Sequence, residues 1–268
     1  MGLQINSTSG LFGLRQLDET TRGIARTQER LASLLEINRA ADDVAGLQIS
    51  ETFRAEIRQL NEEVRSIQTG VNLIQTADSA LSTQSDAVGR IQELAVQAAN
   101  GTLTDDQRTA INQEAQQLLE QIDQTAQNTE FNGINPLDGS NETITLDPEG
   151  SLDVQFSEST VDALGLNGLD LSTQAGATAA LTQLEGAADQ INQNRAALGA
   201  QENGLATAAD ERSLASLNLQ EADSRLRDLD VAQAFIDQTR DQALLEGAIA
   251  ALAQGNLQNA TAATLLGG

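Results

Sequence analysis

The residues best placed to do chemistry are two adjacent carboxylates, Asp42 and Asp43, in the run Ile37-Asn38-Arg39-Ala40-Ala41-Asp42-Asp43-Val44-Ala45-Gly46. Paired acids could serve as a general acid and base or grip a cation. They could also cap a helix, where negative charge meets the dipole of the N-terminus. Their surroundings favour capping, because small residues and paired Asp mark a bend or a helix start. The chain also contains no His and no Cys. That removes the commonest general base, the commonest zinc ligand and every thiol nucleophile. No glycine loop that cradles phosphate, no D-x-[DN]-x-[DN]-G calcium loop and no G-x-S-x-G elbow occurs. N-x-[ST] occurs at Asn6, Asn100, Asn141 and Asn259, but about two such matches arise by chance in a chain this rich in Asn, Ser and Thr. The reading is of a protein without catalytic residues, cofactor or metal.

Charge narrows the partners. The net charge is −24, and all fifteen basic residues are Arg. Such a chain repels nucleic acid and anionic membrane surfaces. It favours solubility in a salty medium that screens self-repulsion. No run of about 18 apolar residues could insert in a bilayer. Met1 to Gly10 lacks the basic and apolar regions of a cleaved secretory signal, so export would use a route that reads no such signal.

The elements around these residues are helical. Leu14, Leu17, Thr21, Ile24, Gln28, Leu31 and Leu35 follow 3,4 spacing, a heptad seam with two polar positions. The seam breaks at Ile37 to Gly46. It resumes over five heptads from Phe53 through Ile57, Leu60, Val64, Ile67, Val71, Ile74, Asp78, Leu81, Ser85 and Val88, and then slips by one residue to Ile91, Ala95 and Ala98. A helix of about 50 residues spans roughly 75 Å and must bury its seam against other helices. Asn100-Gly101 ends it, and Thr104-Asp105-Asp106-Gln107 is a capping box that starts another, with a seam at Ile111, Ala115, Leu118, Ile122 and Thr125.

From about Asn128 to Ala175 turn signals multiply. Two alternating runs, Thr143 to Leu146 and Leu152 to Phe156, predict a β-hairpin around a loop at Asp147 to Ser151. Residues 101–175 carry fourteen Asp or Glu against one Arg. Helical period returns near Thr178, where Leu184, Ala188, Ile191, Arg195, Leu198, Glu202, Leu205, Ala209 and Arg212 hold a heptad frame and Leu219, Ala222, Leu226 and Leu229 continue a stripe. A last amphipathic segment carries Phe235, Leu244, Leu245, Ala248, Ile249 and Leu252. The expected fold class is mainly α, a long coiled-coil helix bundle formed by the N- and C-terminal segments, with a small β-hairpin segment in the middle. Only pairing of the two ends gives each rod a partner within the chain.

Glu29-Arg30-Leu31-Ala32-Ser33 followed by Ile37 to Glu51 resembles the N-terminal signature of bacterial flagellin. Gly70 to Leu81, Arg90 to Gln97 and Glu130-Phe131-Asn132-Gly133 extend the resemblance. Leu198 to Asn203, Glu221 to Asp228 and Leu252 to Asn256 are similar to the flagellin C-terminus. The resemblance implies a short flagellin without outer variable domains. It implies a structural subunit that polymerises into the bacterial flagellar filament for motility, outside the cell, after type III export. Residues 1–45 and 230–268 would form the terminal helical domain of the inner tube. Residues 46–229 would form the shell, with the β segment at about 138–175. Its implied partners are other copies of itself, an export chaperone, and cap and hook-associated proteins.

The resemblance also places subunit packing and the interdomain joint at Leu31, Leu34, Glu36, Asn38, Arg39, Asp42 and Asp43. It places Arg90, Leu94 and Glu114 where the family presents a surface to Toll-like receptor 5, with packing inside the filament as the plainer role. Where the family has Ser-Gly and then a basic residue, this chain has Ser33-Leu34-Leu35-Glu36. A glycine is lost and a charge inverted. A hook–filament junction protein and a non-polymerising helical adhesin are the competing readings.

Overall fold

The computed structural model describes residues 2–147, 150 and 152–266. Its elements are α1 (Gly2–Ser33), α2 (Val44–Ala98), α3 (Asp105–Asn128), β1 (Thr143–Thr145), β2 (Asp153–Gln155), α4 (Gln174–Arg227) and α5 (Val231–Leu266). The expected class is met: long helices contributed by both ends of the chain, with one small antiparallel hairpin. The hairpin pairs Thr143 with Gln155, Ile144 with Val154 and Thr145 with Asp153. Of its expected loop, residues 148, 149 and 151 lie outside the described residues, as do Met1, Gly267 and Gly268.

The chain divides into two units. One comprises Met1–Ile57 and Leu217–Gly268; the other is Arg58–Ser216. The second has a core of its own. Ile67, Ile74, Leu81, Val88 and Ile91 of α2 join Ile122 of α3 and Leu184 and Ile191 of α4, all essentially inaccessible to solvent. The uninterrupted helical period explains this: residues three and four apart share a face, so one stripe goes inward along each helix.

Polar groups fix how these parts meet. Gln84 is fully buried on α2. Its Nε2 donates to the carbonyls of Ile122 (3.1 Å) and Ser159 (3.0 Å), while its Oε1 accepts from the Ser159 hydroxyl (2.6 Å). Arg108 is buried too. Its Nε donates to the Ala98 carbonyl at 2.9 Å and its Nη2 to the Asn100 carbonyl at 3.0 Å. These are end-of-helix acceptors that α2 cannot satisfy itself. The lone Arg of the acidic middle segment thus caps the preceding helix. Gly70 admits the hairpin, since a Cβ there would overlap Leu146 Cδ1. That close approach offsets the roughly 1 kcal/mol that glycine costs inside a helix.

The sequence frame needs several corrections, beginning in α2, where Ala77 and Gln84 are buried and the expected seam residues Asp78 and Ser85 are only partly covered. In α3 the capping box forms as expected around Thr104 and Gln107. The buried stripe, however, uses Leu119 and Ala126 rather than Leu118 and Thr125. A straight helix turns every 3.6 residues and drifts from a 3.5 frame. The same drift moves the inward stripe of α1 to Leu17, Thr20, Ile24, Thr27 and Leu31, and it leaves Thr21 and Gln28 outside. In α4 the start is Gln174, four residues before Thr178, because the Thr173 hydroxyl accepts the Gly176 amide at 3.0 Å. The segment after the hairpin, marked in the sequence only by turn signals and acidic residues, also supplies core side chains. Leu164, Leu166, Leu169 and Leu171 all enter the core.

Replacing Gln84 by Leu would leave the Ser159 hydroxyl and two carbonyls without their partner in a dry site. The expected loss is at least about 3 kcal/mol, read as a lower urea midpoint with an unchanged slope.

Candidate assembly face and linker joint

In the unit formed by Met1–Ile57 and Leu217–Gly268, α1 packs against α5. The helices approach closely at Gly13, where an added Cβ would lie 2.7 Å from Leu252 Cδ2. Thr20 and Ala234 are buried. Little else is. Among the described residues, Ile37 and Ala234 are the only buried apolar side chains of this unit. All but two of the exposed large apolar side chains, Val96 and Leu214, belong to it.

The uncovered side chains follow from the sequence of α5, whose apolar residues are spread around the helix among polar ones rather than gathered on one face. Leu245, Ala248 and Leu252 turn toward α1. Phe235, Ile249 and Leu257 fall on another side by the 100° step of the helix. Phe235 is 63% exposed, and Ile236, Leu244, Ile249 and Leu257 are similarly open. On α1, Leu11, Phe12 and Leu14 are open as well. The expected C-terminal stripe therefore splits, one part meeting α1 and the other meeting solvent.

Two linkers connect these helices to α2 and α4, and they are bonded to each other. The Glu36 amide donates to the Arg227 carbonyl at 2.7 Å, and the Leu229 amide donates to the Leu34 carbonyl at 3.0 Å. Leu35 and Asp228 form the bridge between them. Leu34 follows the last residue of α1 with φ = +59°. Helices often stop with one residue in this left-handed region, usually Gly. An L side chain there costs about 1–2 kcal/mol, and Leu34 recovers little by burial because it is 58% exposed.

The remaining joint residues are placed as follows. Leu31 is half-buried on α1. The Asp42 carboxylate accepts the amides of Asn38 (3.2 Å) and Arg39 (3.0 Å), closing a turn. Those amides hold the Asp42 carboxyl below the usual carboxylate range. Asp43 accepts the Ala45 amide at 3.0 Å from the residue just before α2, an N-cap geometry. Arg39 is paired with Glu29, its Nε donating at 2.7 Å, and that carboxylate raises the guanidinium above its ordinary value. The Glu36 side chain is exposed.

The structure adds residues that the seam pattern did not single out. Arg227 is buried where α4 ends, and its Nη1 donates to the Ser50 hydroxyl at 3.2 Å. Ser50 in turn donates to Asp223. Arg54 lies 3.7 Å from Asp223. The signal was present only as an Arg within the run Glu221 to Asp228, beside the stripe of Leu219, Ala222, Leu226 and Leu229 rather than on it.

Arg90 and Glu114 are brought together at 3.0 Å, joining α2 to α3, and Arg90 also holds Glu93 at 2.8 Å. Leu94 does not share that surface. It is 2% exposed and belongs to the core, because its position one turn beyond Arg90 rotates it beneath α3 rather than beside the pair.

The chain matches the bacterial flagellin N-terminal helical region over residues 8–142 and the bacterial flagellin C-terminal helical region over residues 181–265. It is 34% identical to the flagellar filament 30.7 kDa core protein of Treponema maltophilum, covering 94% of this chain and 95% of that one. This chain belongs to the bacterial flagellin family. Flagellins are structural filament proteins, and this member is a structural subunit rather than an enzyme. The crystal structure of Bacillus cereus flagellin is similar with a TM-score of 0.50 and 31% identity, over 55% of this chain and 88% of that one. A putative flagellar hook-associated protein from Vibrio parahaemolyticus gives a TM-score of 0.59 over 70% of this chain and 100% of that one, but at 14% identity it shares only the fold. Among the described residues no group of acids could hold a metal ion, and no helix is long and apolar enough to cross a membrane.

Leu34→Gly relieves the left-handed strain but enlarges the unfolded ensemble, for a net gain of about 0.5–1 kcal/mol. The Glu36 and Leu229 amides should then exchange with solvent about two- to fivefold more slowly. Asp42 gives a second test. Its folded pKa is lowered, so its contribution is present above the unfolded value and is lost as pH falls through the folded one. Acidification below the ordinary carboxylate range should lower protection at Asn38 and Arg39, taken relative to the intrinsic exchange rate at each pH, whereas Asp42→Asn should flatten that dependence.

Proposed function

We propose that the uncovered faces of α1 and α5 are where copies of this chain close on one another in the flagellar filament. The observation that supports this is the uneven distribution of apolar surface. Arg58–Ser216 buries its own stripe, whereas the other unit leaves Phe235, Ile249 and Leu257 in water. Isolated helices of this kind are marginal until neighbours cover them. Residues 1–45 and 230–268 then form the inner tube and 46–229 the shell. The paired linkers are the joint through which both ends of the chain pass from one layer to the other.

Export fits the same physics, because a segment stable only in the assembled state is easily kept unfolded beforehand. Engagement of an export chaperone by the same open faces, and capping by hook-associated proteins of related end architecture, follow from that reading. For Arg90 and Glu114 the supported role is intramolecular, tying α2 to α3. Toll-like receptor 5 recognition would have to use this pair without Leu94, and a receptor reporter cell exposed to purified monomer tests it.

Phe235→Glu combined with Ile249→Glu should abolish assembly seeded with fragments. The unfolding midpoint of Arg58–Ser216 should be unchanged within about 0.5 kcal/mol, as for surface changes. Long tubular filaments from the double variant, seen by electron microscopy, would sink the proposed face.

A further inference from the structure

The residue types that are missing define a property of the ones present. Beside lacking His and Cys, the chain has no Tyr, and every one of its fifteen basic residues is Arg, so it has no Lys either. Its titratable side chains are thirty-nine carboxyls and fifteen guanidinium groups. Carboxyls titrate near pH 4 and guanidinium above about pH 12, while imidazole, thiol, phenol and ammonium fill the range between. We propose that this flagellin is a constant-charge subunit, built to fold and assemble unchanged from about pH 6 to about pH 11.

The ion pairs that join helices are consistent with that design. Arg195 meets Asp78 at 2.8 Å and Arg212 meets Glu63 at 2.7 Å, each linking α4 to α2. Arg54 and Arg227 face Glu51 and Asp223 where α2 begins and α4 ends. Arg90 meets Glu93 and Glu114, and Arg39 meets Glu29. With Lys in these places each pair would lose its cation in alkali, and at Arg212 the carboxylate would be left alone in a partly dry site. Glu63 is only 12% exposed at its side chain. Neighbouring acids push the guanidinium groups of Arg39, Arg90 and Arg195 further up.

The whole-chain balance points the same way. Fifteen lysines in place of the arginines would let the net charge fall from −24 toward −39 in strong alkali. Self-repulsion would grow where assembly requires copies to approach. With arginine the charge stays at −24, apart from the chain's terminal amine. By linkage, a state that neither gains nor releases protons has a stability with no pH slope.

Potentiometric titration of the purified monomer from pH 7 to pH 11 should release no more than about one proton per chain. Over that interval its unfolding equilibrium constant at fixed ionic strength should change less than about twofold. The double variant Arg195→Lys with Arg212→Lys faces Asp78 and Asp86 at the first position and Glu63 at the second, all on α2. It should match the natural chain at pH 7 and unfold roughly tenfold more readily at pH 11 as both ammonium groups discharge. Release of several protons, a natural chain that loses stability by pH 10.5, or a Lys variant that follows the natural chain throughout would each overturn the proposal. The filament measurement, a critical concentration that is equal within about twofold at pH 7 and pH 10.5, rests on the self-assembly reading. The monomer measurements do not, so failure to polymerise at any pH would count against assembly and leave the constant charge standing.

Discussion

Apolar side chains that this chain cannot cover by itself govern the rest of its structure. Each large aliphatic or aromatic side chain moved from water into a packed site contributes roughly 1.5–3 kcal/mol. Arg58–Ser216 collects that contribution internally, through α2, α3, α4 and the leucines that follow the hairpin. The unit holding α1 and α5 cannot, because two helices can cover only one side of each other. Apolar side chains on more than one side of α5 are left uncovered in one molecule, and the proposed array would cover them. The absence of catalytic residues belongs to the same logic, since the surface this protein uses is extended and largely apolar.

On the proposed assembly through the terminal helices, the subunit must also hold its two ends together. The bonds between Leu34–Glu36 and Arg227–Leu229 do this with backbone atoms. Side-chain identity matters less for such a ladder than the chain's ability to adopt its turns. Leu34 shows the limit of that tolerance. It takes the conformation that glycine takes most cheaply, and this is where the family pattern has glycine and this chain does not. The ladder and the Arg227–Ser50–Asp223 network over-determine a backbone conformation that Leu34 alone would not choose.

Long-range order was legible in the sequence because periodicity is a local signal repeated many times. The apolar seam positions Ile67, Ile74, Leu81, Val88, Ile91, Ala95 and Ala98, the capping box at Thr104 and the hairpin register could all be read from spacing, whereas the seam's Asp78 and Ser85 gave way to Ala77 and Gln84. Details that depend on drift or on contact were not. A 3.5-residue frame anchored at Leu14 put Thr21 and Gln28 in the α1 seam, whereas the helix turned Thr20 and Thr27 inward. Leu94 kept its core position because burial follows the face of the helix rather than the motif. Leu164 to Leu171 went unread as core because alternation with Gly, Asn and Asp imitates a surface loop. Arg227 was visible in a motif, but only the packed structure shows it reaching Ser50.

Charge and apolar surface divide between the two units in opposite senses. Arg58–Ser216 holds twenty-four acids and six arginines, a net of −18, whereas the unit with the open faces carries only −6. Copies of the chain can thus approach through the less charged unit at low Coulombic cost. Half-covering Phe235, Ile249 and Leu257, which share one side of α5, gives on the order of 3 kcal/mol. Association costs about 4–15 kcal/mol in lost translational and rotational freedom. One neighbour on one face therefore falls short of offsetting that cost. Covering α1 at Leu11, Phe12 and Leu14 as well brings in further neighbours without a second full cost, because an already seated subunit gains contacts from each one added. On the proposed assembly face, a chain with this distribution would associate weakly as a pair and more stably as an open array.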